Sequence, residues 1–169
     1  MDAETLRATQ APLKARYREE PGAALITLSA EGSIDEQTIA CKVETGRALV
    51  TAGLHPATGG TGLEACSGDM LLEALVACAG VTLKAVATAI GVALKSAHVR
   101  AEGDLDFRGT LGVDREAPVG FRAIRLSFAI DSDASAEKLD QLLKLTERYC
   151  VVLQTLRAAP PVTATLHRA

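Results

Sequence analysis

Ser67-Gly68-Asp69-Met70-Leu71-Leu72-Glu73-Ala74-Leu75-Val76-Ala77-Cys78-Ala79-Gly80-Val81-Thr82-Leu83 is the stretch on which the fold turns. Leu71, Leu75, Cys78, Thr82 and Val86 recur at helical spacing, which predicts a helix from Ser67 or Asp69 to about Ile90 with Gly91 as its C-terminal cap. Ala74, Ala77, Gly80, Ala85, Ala87 and Ala89 cover much of the remaining circumference, so the helix is expected to be buried on most sides. Its most apolar part, Met70 to Val81, is shorter than the ~20 residues that span a bilayer and carries Glu73, which marks a core helix.

Working outward, the loop from Gly53 to Gly62 precedes this helix. It lacks both Gly-Lys-Ser/Thr and G-x-G-x-x-G, so it reads as a tight entry turn rather than a phosphate cradle. Upstream, Leu13–Arg18, Ala24–Ala30, Thr38–Glu44 and Arg47–Ala52 read as strands, with Pro21-Gly22 and Thr45-Gly46 as turns. Downstream, Val99–Phe107 and Ala123–Ile130 alternate as strands around a polar loop, Gly109 to Gly120. A second helix is predicted from near Ser135, with Leu139, Leu142, Leu143, Thr146, Tyr149, Cys150, Leu153 and Leu156 on an uninterrupted helical period until Pro160-Pro161. Val162–Leu166 reads as a last short strand. Strands and helices do not alternate strictly, so the expected class is α+β, with antiparallel sheet packed on two long central helices in one domain, 1–169.

Composition bounds the function. A chain of 169 residues with 48% hydrophobic content can bury one sizeable core, and a net charge of -3 without a basic run disfavours nucleic acid and membrane surfaces as partners. The polar, acidic start Met1-Asp2-Ala3-Glu4 has no signal-like apolar region, so a cytoplasmic location is expected. There ordinary thiols stay reduced, and Cys41, Cys66, Cys78 and Cys150 form no C-x-x-C pair; with His55, His98 and His167 scattered, no metal site is expected. With no Trp and 3% aromatics, the core is built from Ala, Leu and Val, which favours closely packed helices and a dimer sharing one core.

Each of Cys78 and Cys150 lies on an apolar helical face, where a cysteine commonly serves as a small buried hydrophobe. A reactive Cys78 needs a nearby positive influence, because burial alone raises a thiol pKa. Its own helix N-terminus is too far away, with Asp69 nine residues earlier, about 13.5 Å along the axis. An arginine from elsewhere is the economical candidate, and Arg18 and Arg47, both at predicted strand ends, are the two considered. Asp69 itself falls on the face opposite Cys78 and suits a helix start. Cys41 reads as structural, and Cys66 lies just before the helix, where a helix N-terminus can lower a thiol pKa.

The segment Ser67 to Cys78 followed by Thr82-Leu83 resembles the first cysteine helix of the OsmC/Ohr proteins, and Tyr149-Cys150-Val151-Val152-Leu153-Gln154-Thr155-Leu156 resembles their second cysteine segment. The resemblance implies an OsmC-like intertwined homodimer, with sheets wrapped around two central helices. It also implies a cysteine-based peroxidase in which Cys78 attacks a hydroperoxide and Cys150 resolves the sulfenic acid, with a dithiol, lipoylated protein or small thiol as reductant and no cofactor. Asp69 stands at the position matched to a family glutamate, and Arg18 or Arg47 would supply the family arginine. Many active relatives carry proline after the second cysteine; here it is Val151, which permits a helix to run straight through. The alternatives are a non-catalytic OsmC-like dimer holding a small apolar ligand beside Cys78, and a thiol redox sensor.

Overall fold

A computed structural model describes residues 2–19, 31–34, 40–44, 49–112 and 114–168. The chain opens with helix α1 (Ala3–Glu19), followed by strands β1 (Glu31–Ile34), β2 (Ala40–Glu44), β3 (Leu49–Gly53) and the short β4 (Ala65–Cys66). Helix α2 (Ser67–Ile90) comes next, then β5 (Ser96–Asp104), the single-turn α3 (Phe107–Thr110), β6 (Ala123–Asp131), α4 (Ala136–Tyr149) and α5 (Val151–Arg157). One sheet has the order β1-β2-β3-β4, antiparallel except for β3 with β4; the other is the antiparallel pair β5-β6, in register from Ser96 opposite Asp131 to Asp104 opposite Ala123.

The predicted bounds of α2 are met, and so is its cap. Gly91 sits at φ 73° and the Val92 amide bonds the Ala87 carbonyl at 2.8 Å, a left-handed stop that glycine adopts without Cβ strain. The buried line on α2 is Leu75, Ala79, Leu83 and Ala87, a strict four-residue repeat. Cys78, Thr82 and Val86 therefore flank the buried line instead of forming it, and the expectation of burial on most sides is corrected: Val81 is 72% exposed and Ala74, Ala77 and Ala89 are exposed as well. By length and composition α2 could cross a bilayer, but it packs as a core helix against α4, α5 and β5.

Alternation on β6 turns Ile124, Leu126, Phe128 and Ile130 inward and Arg125, Ser127 and Ala129 outward. The inward row and Val99 and Ala101 of β5 close over two neighbouring clusters. One is centred on Leu75, Ala79, Cys150 and Leu153; the other on Leu83, Ala87, Val92 and Leu142.

Three further expectations fail on the described residues. Leu13–Arg18 is not a strand but part of α1, begun by Asp2, whose carboxylate accepts the Thr5 amide at 2.8 Å; the segment's Ala, Leu, Lys and Arg content favours helix. Val162–Leu166 forms no strand: residues 159–168 have no regular structure, and Val162 and Leu166 are 87% and 81% exposed. The helix expected to run through Cys150 is broken there, at φ −73° and ψ 104°. The predicted strand Ala24–Ala30 lies outside the described residues.

Candidate redox site

The break at Cys150 builds the site. The Cys150 amide still donates to the Thr146 carbonyl at 3.0 Å, ending α4, and the Cys150 carbonyl accepts the Gln154 amide at 2.9 Å, starting α5. One residue thus closes one helix and opens the next. In an unbroken helix the Val151 and Val152 amides would bond the carbonyls of Glu147 and Arg148. Extended backbone at Cys150 releases them, as at any helix start.

The released amides face the thiol of Cys78. Burial opposes ionisation of Cys78, but the Val152 amide, the Cys150 thiol, the hydroxyl of Thr82 one turn along α2 and the Val151 amide all favour the thiolate, and together they bring its pKa below the ordinary thiol value. Cys150 moves the other way. It is fully buried, which raises its pKa; the Leu153 amide opposes this, and the adjacent Cys78, taking the negative charge, raises it further. Of the two thiols, Cys78 is half-buried and ionises first, while Cys150 is enclosed and keeps its proton. Both are reduced.

The helix-dipole argument from sequence was sound for α2 and incomplete for the molecule. Cys78 receives no help from the start of its own helix, yet it lies against the start of another. Val151, Val152 and Thr82 were missed as functional residues. Thr82 was findable from its four-residue spacing to Cys78; the two amides carried no side-chain signal.

The remaining candidates are placed as follows. Asp69 is exposed in the first turn of α2, where it lines a small cavity with His55, Cys66 and Phe107. Arg18 lies within α1, not at a strand end, and Arg47 lies outside the described residues. Cys66 is the residue preceding α2, with no side-chain cap bond, and Cys41 lies in β2 opposite Ala52. Among the described residues no three His, Cys, Asp or Glu side chains cluster as a metal site.

Next to the thiols a cavity of about 600 Å³ opens between the start of α2, β6 and α5. Leu71, Leu75, Phe121, Leu126, Leu153 and Leu156 supply apolar wall, with Arg122, Glu147 and Arg157 among the polar lining. Leu75 and Leu153 also belong to the cluster that holds Cys150, so one layer of side chains is common to cavity and thiol pair.

Residues 60–165, which include both cysteines, match the OsmC-like protein family. The chain belongs to the OsmC-like family. Solved structures share its fold at low identity. The OsmC-like protein of Mycoplasma pneumoniae is 18% identical, with a TM-score of 0.65 over 79% of this chain and 89% of that one. An organic hydroperoxide resistance protein from Legionella pneumophila is 16% identical, with a TM-score of 0.62 over 80% and 92%. Another from Elizabethkingia anophelis is 15% identical, with a TM-score of 0.63 over 80% and 91%. Among curated proteins none matches. The chain thus has a mixed α/β structure with OsmC-like fold neighbours.

Proposed function

We propose that this OsmC-like protein is a cytoplasmic, homodimeric thiol peroxidase that reduces organic hydroperoxides. The observation that carries the reading is the paired thiols with opposite tendencies, Cys78 toward thiolate and Cys150 toward thiol. Cys78 Sγ attacks an oxygen of the O–O bond; an S–O bond forms, the O–O bond breaks, and the alcohol leaves after taking a proton. The enclosed Cys150 then attacks the sulfenic acid sulfur, water departs and a disulfide forms. An external dithiol or lipoylated protein restores both thiols by exchange. Cys78 packs against the buried cluster that includes Cys150, which favours resolution without a large chain movement.

One feature supports a dimer. Leu71 and Val81 lie open on α2, 37% and 72% exposed. The apolar cavity favours a second reading, a dimer that holds an apolar ligand without turnover, since neither thiol lines it.

Treating the reduced protein with stoichiometric organic hydroperoxide, then measuring intact mass and free thiols, separates the two. The peroxidase loses the Cys78 and Cys150 thiols together, and Cys78→Ser abolishes this. Retention of every thiol under those conditions sinks the peroxidase reading and leaves the ligand carrier.

A further inference from the structure

The clamp between α4 and α5 has a geometry of its own. When Val151 gives up the Glu147 carbonyl, that carbonyl is left without its helical donor. The side chain of Gln154 replaces it, with Nε2 donating to Glu147 O at 2.7 Å. Glu147 is held a second time, by Arg157 Nη1 on its Oε2 at 3.0 Å. Both ties cross the break, from the first and last turns of α5 back to the last turn of α4. Nothing in the local sequence enforces the break: Val151 can donate helically, whereas a proline there could not.

The geometry points to Gln154 as a positioning residue for Cys78, with Arg157 as its support: by occupying the Glu147 carbonyl, Gln154 keeps the helix from closing through Cys150 and leaves the Val151 and Val152 amides to the thiol. The inference rests on Cys78 being the reactive thiol. A proline at position 151 would enforce the break but delete the Val151 amide; a side-chain hydrogen bond three residues later holds the break with that amide kept. Gln154 is exposed and Arg157 is 53% exposed, so the ion pair alone is weak and the amide bond carries the larger share.

The test is the pH profile of Cys78 alkylation by iodoacetamide, read by peptide mass on the reduced full-length protein. Gln154→Ala moves the profile to higher pH and slows alkylation at pH 7 about threefold, the scale of one net hydrogen bond. Gln154→Lys, which keeps a donor, restores it. In a Val151→Pro background no amide competes for the Glu147 carbonyl, and adding Gln154→Ala changes nothing further. An unaltered profile in Gln154→Ala, or an equal loss in both backgrounds, overturns the inference. If Gln154→Ala does not fold, Arg157→Leu loosens the same anchor and produces a smaller shift in the same direction; no shift there overturns the inference equally. Alkylation needs no hydroperoxide, so a protein that behaves in this way yet consumes none removes the peroxidase reading and keeps this one.

Discussion

Two cysteine-bearing segments, both apolar and both free of proline, fold differently. α2 runs unbroken through Cys78 for 24 residues, while the chain turns at Cys150 between the 14 residues of α4 and the 7 of α5. In α2 the interior amides are committed to carbonyls four residues back and can do nothing for Cys78. At the break, amides are freed, and they face the cysteine that the continuous helix presents. One segment carries the thiol that ionises; the other supplies the donors that make it do so.

Proline probes this contrast most strongly. Ala77→Pro removes a helical bond and crowds the preceding turn of α2, costing about 3 kcal/mol or more, whereas Val151→Pro, at the first position of α5, costs little. Urea denaturation of the two variants measures the gap. Similar losses in both would mean that α4 and α5 form one helix in solution.

A smaller effect tests the donor that α2 does provide. Thr82→Val deletes the hydroxyl beside Cys78, so the thiol pKa rises toward its ordinary value and the alkylation profile moves to higher pH, by about threefold in rate at pH 7. The same substitution weakens the pH dependence of stability. Folding lowers the Cys78 pKa, so the resulting stabilisation is complete above the ordinary thiol pKa of 9.0 and is lost as pH falls through the folded value.

Helix starts give the smallest effect. Ser135 caps α4 by accepting the Lys138 amide at 3.4 Å, while Cys66 makes no cap bond at the start of α2. Ser135→Ala is expected to destabilise by about 1 kcal/mol and Cys66→Ser to stabilise by up to that amount. Thermal unfolding of the two variants reads both signs, and a loss in Cys66→Ser would assign that thiol a packing role.

Much of the fold was legible. The small-residue helix, its Gly91 cap and the alternation of Ile124, Leu126, Phe128 and Ile130 are periodic signals written over many residues, and the structure follows them. The first strand expected, Leu13–Arg18, failed because six residues of weak alternation fit a helix equally well, and its Leu, Lys, Ala and Arg favour helix, which runs over Ala3–Glu19 despite Pro12. At the site, the cysteine motifs marked Cys78 and Cys150, but only side chains were weighed as donors to the thiol. An arginine is visible in a sequence; a backbone amide is anonymous.

By itself the sequence determined the mixed class of fold and the extent of α2, because periodicity and residue chemistry act over short range, and its two cysteine motifs carried the family resemblance. Tertiary structure decided where the second helix breaks. Val151 can donate to Glu147 or turn away, and the choice is made by burying Cys150 and Leu153 against Leu75 and Ala79 and by the bonds of Gln154 and Arg157 to Glu147. Those contacts join residues distant in the chain or lying across a turn, and no local pattern encodes their sum.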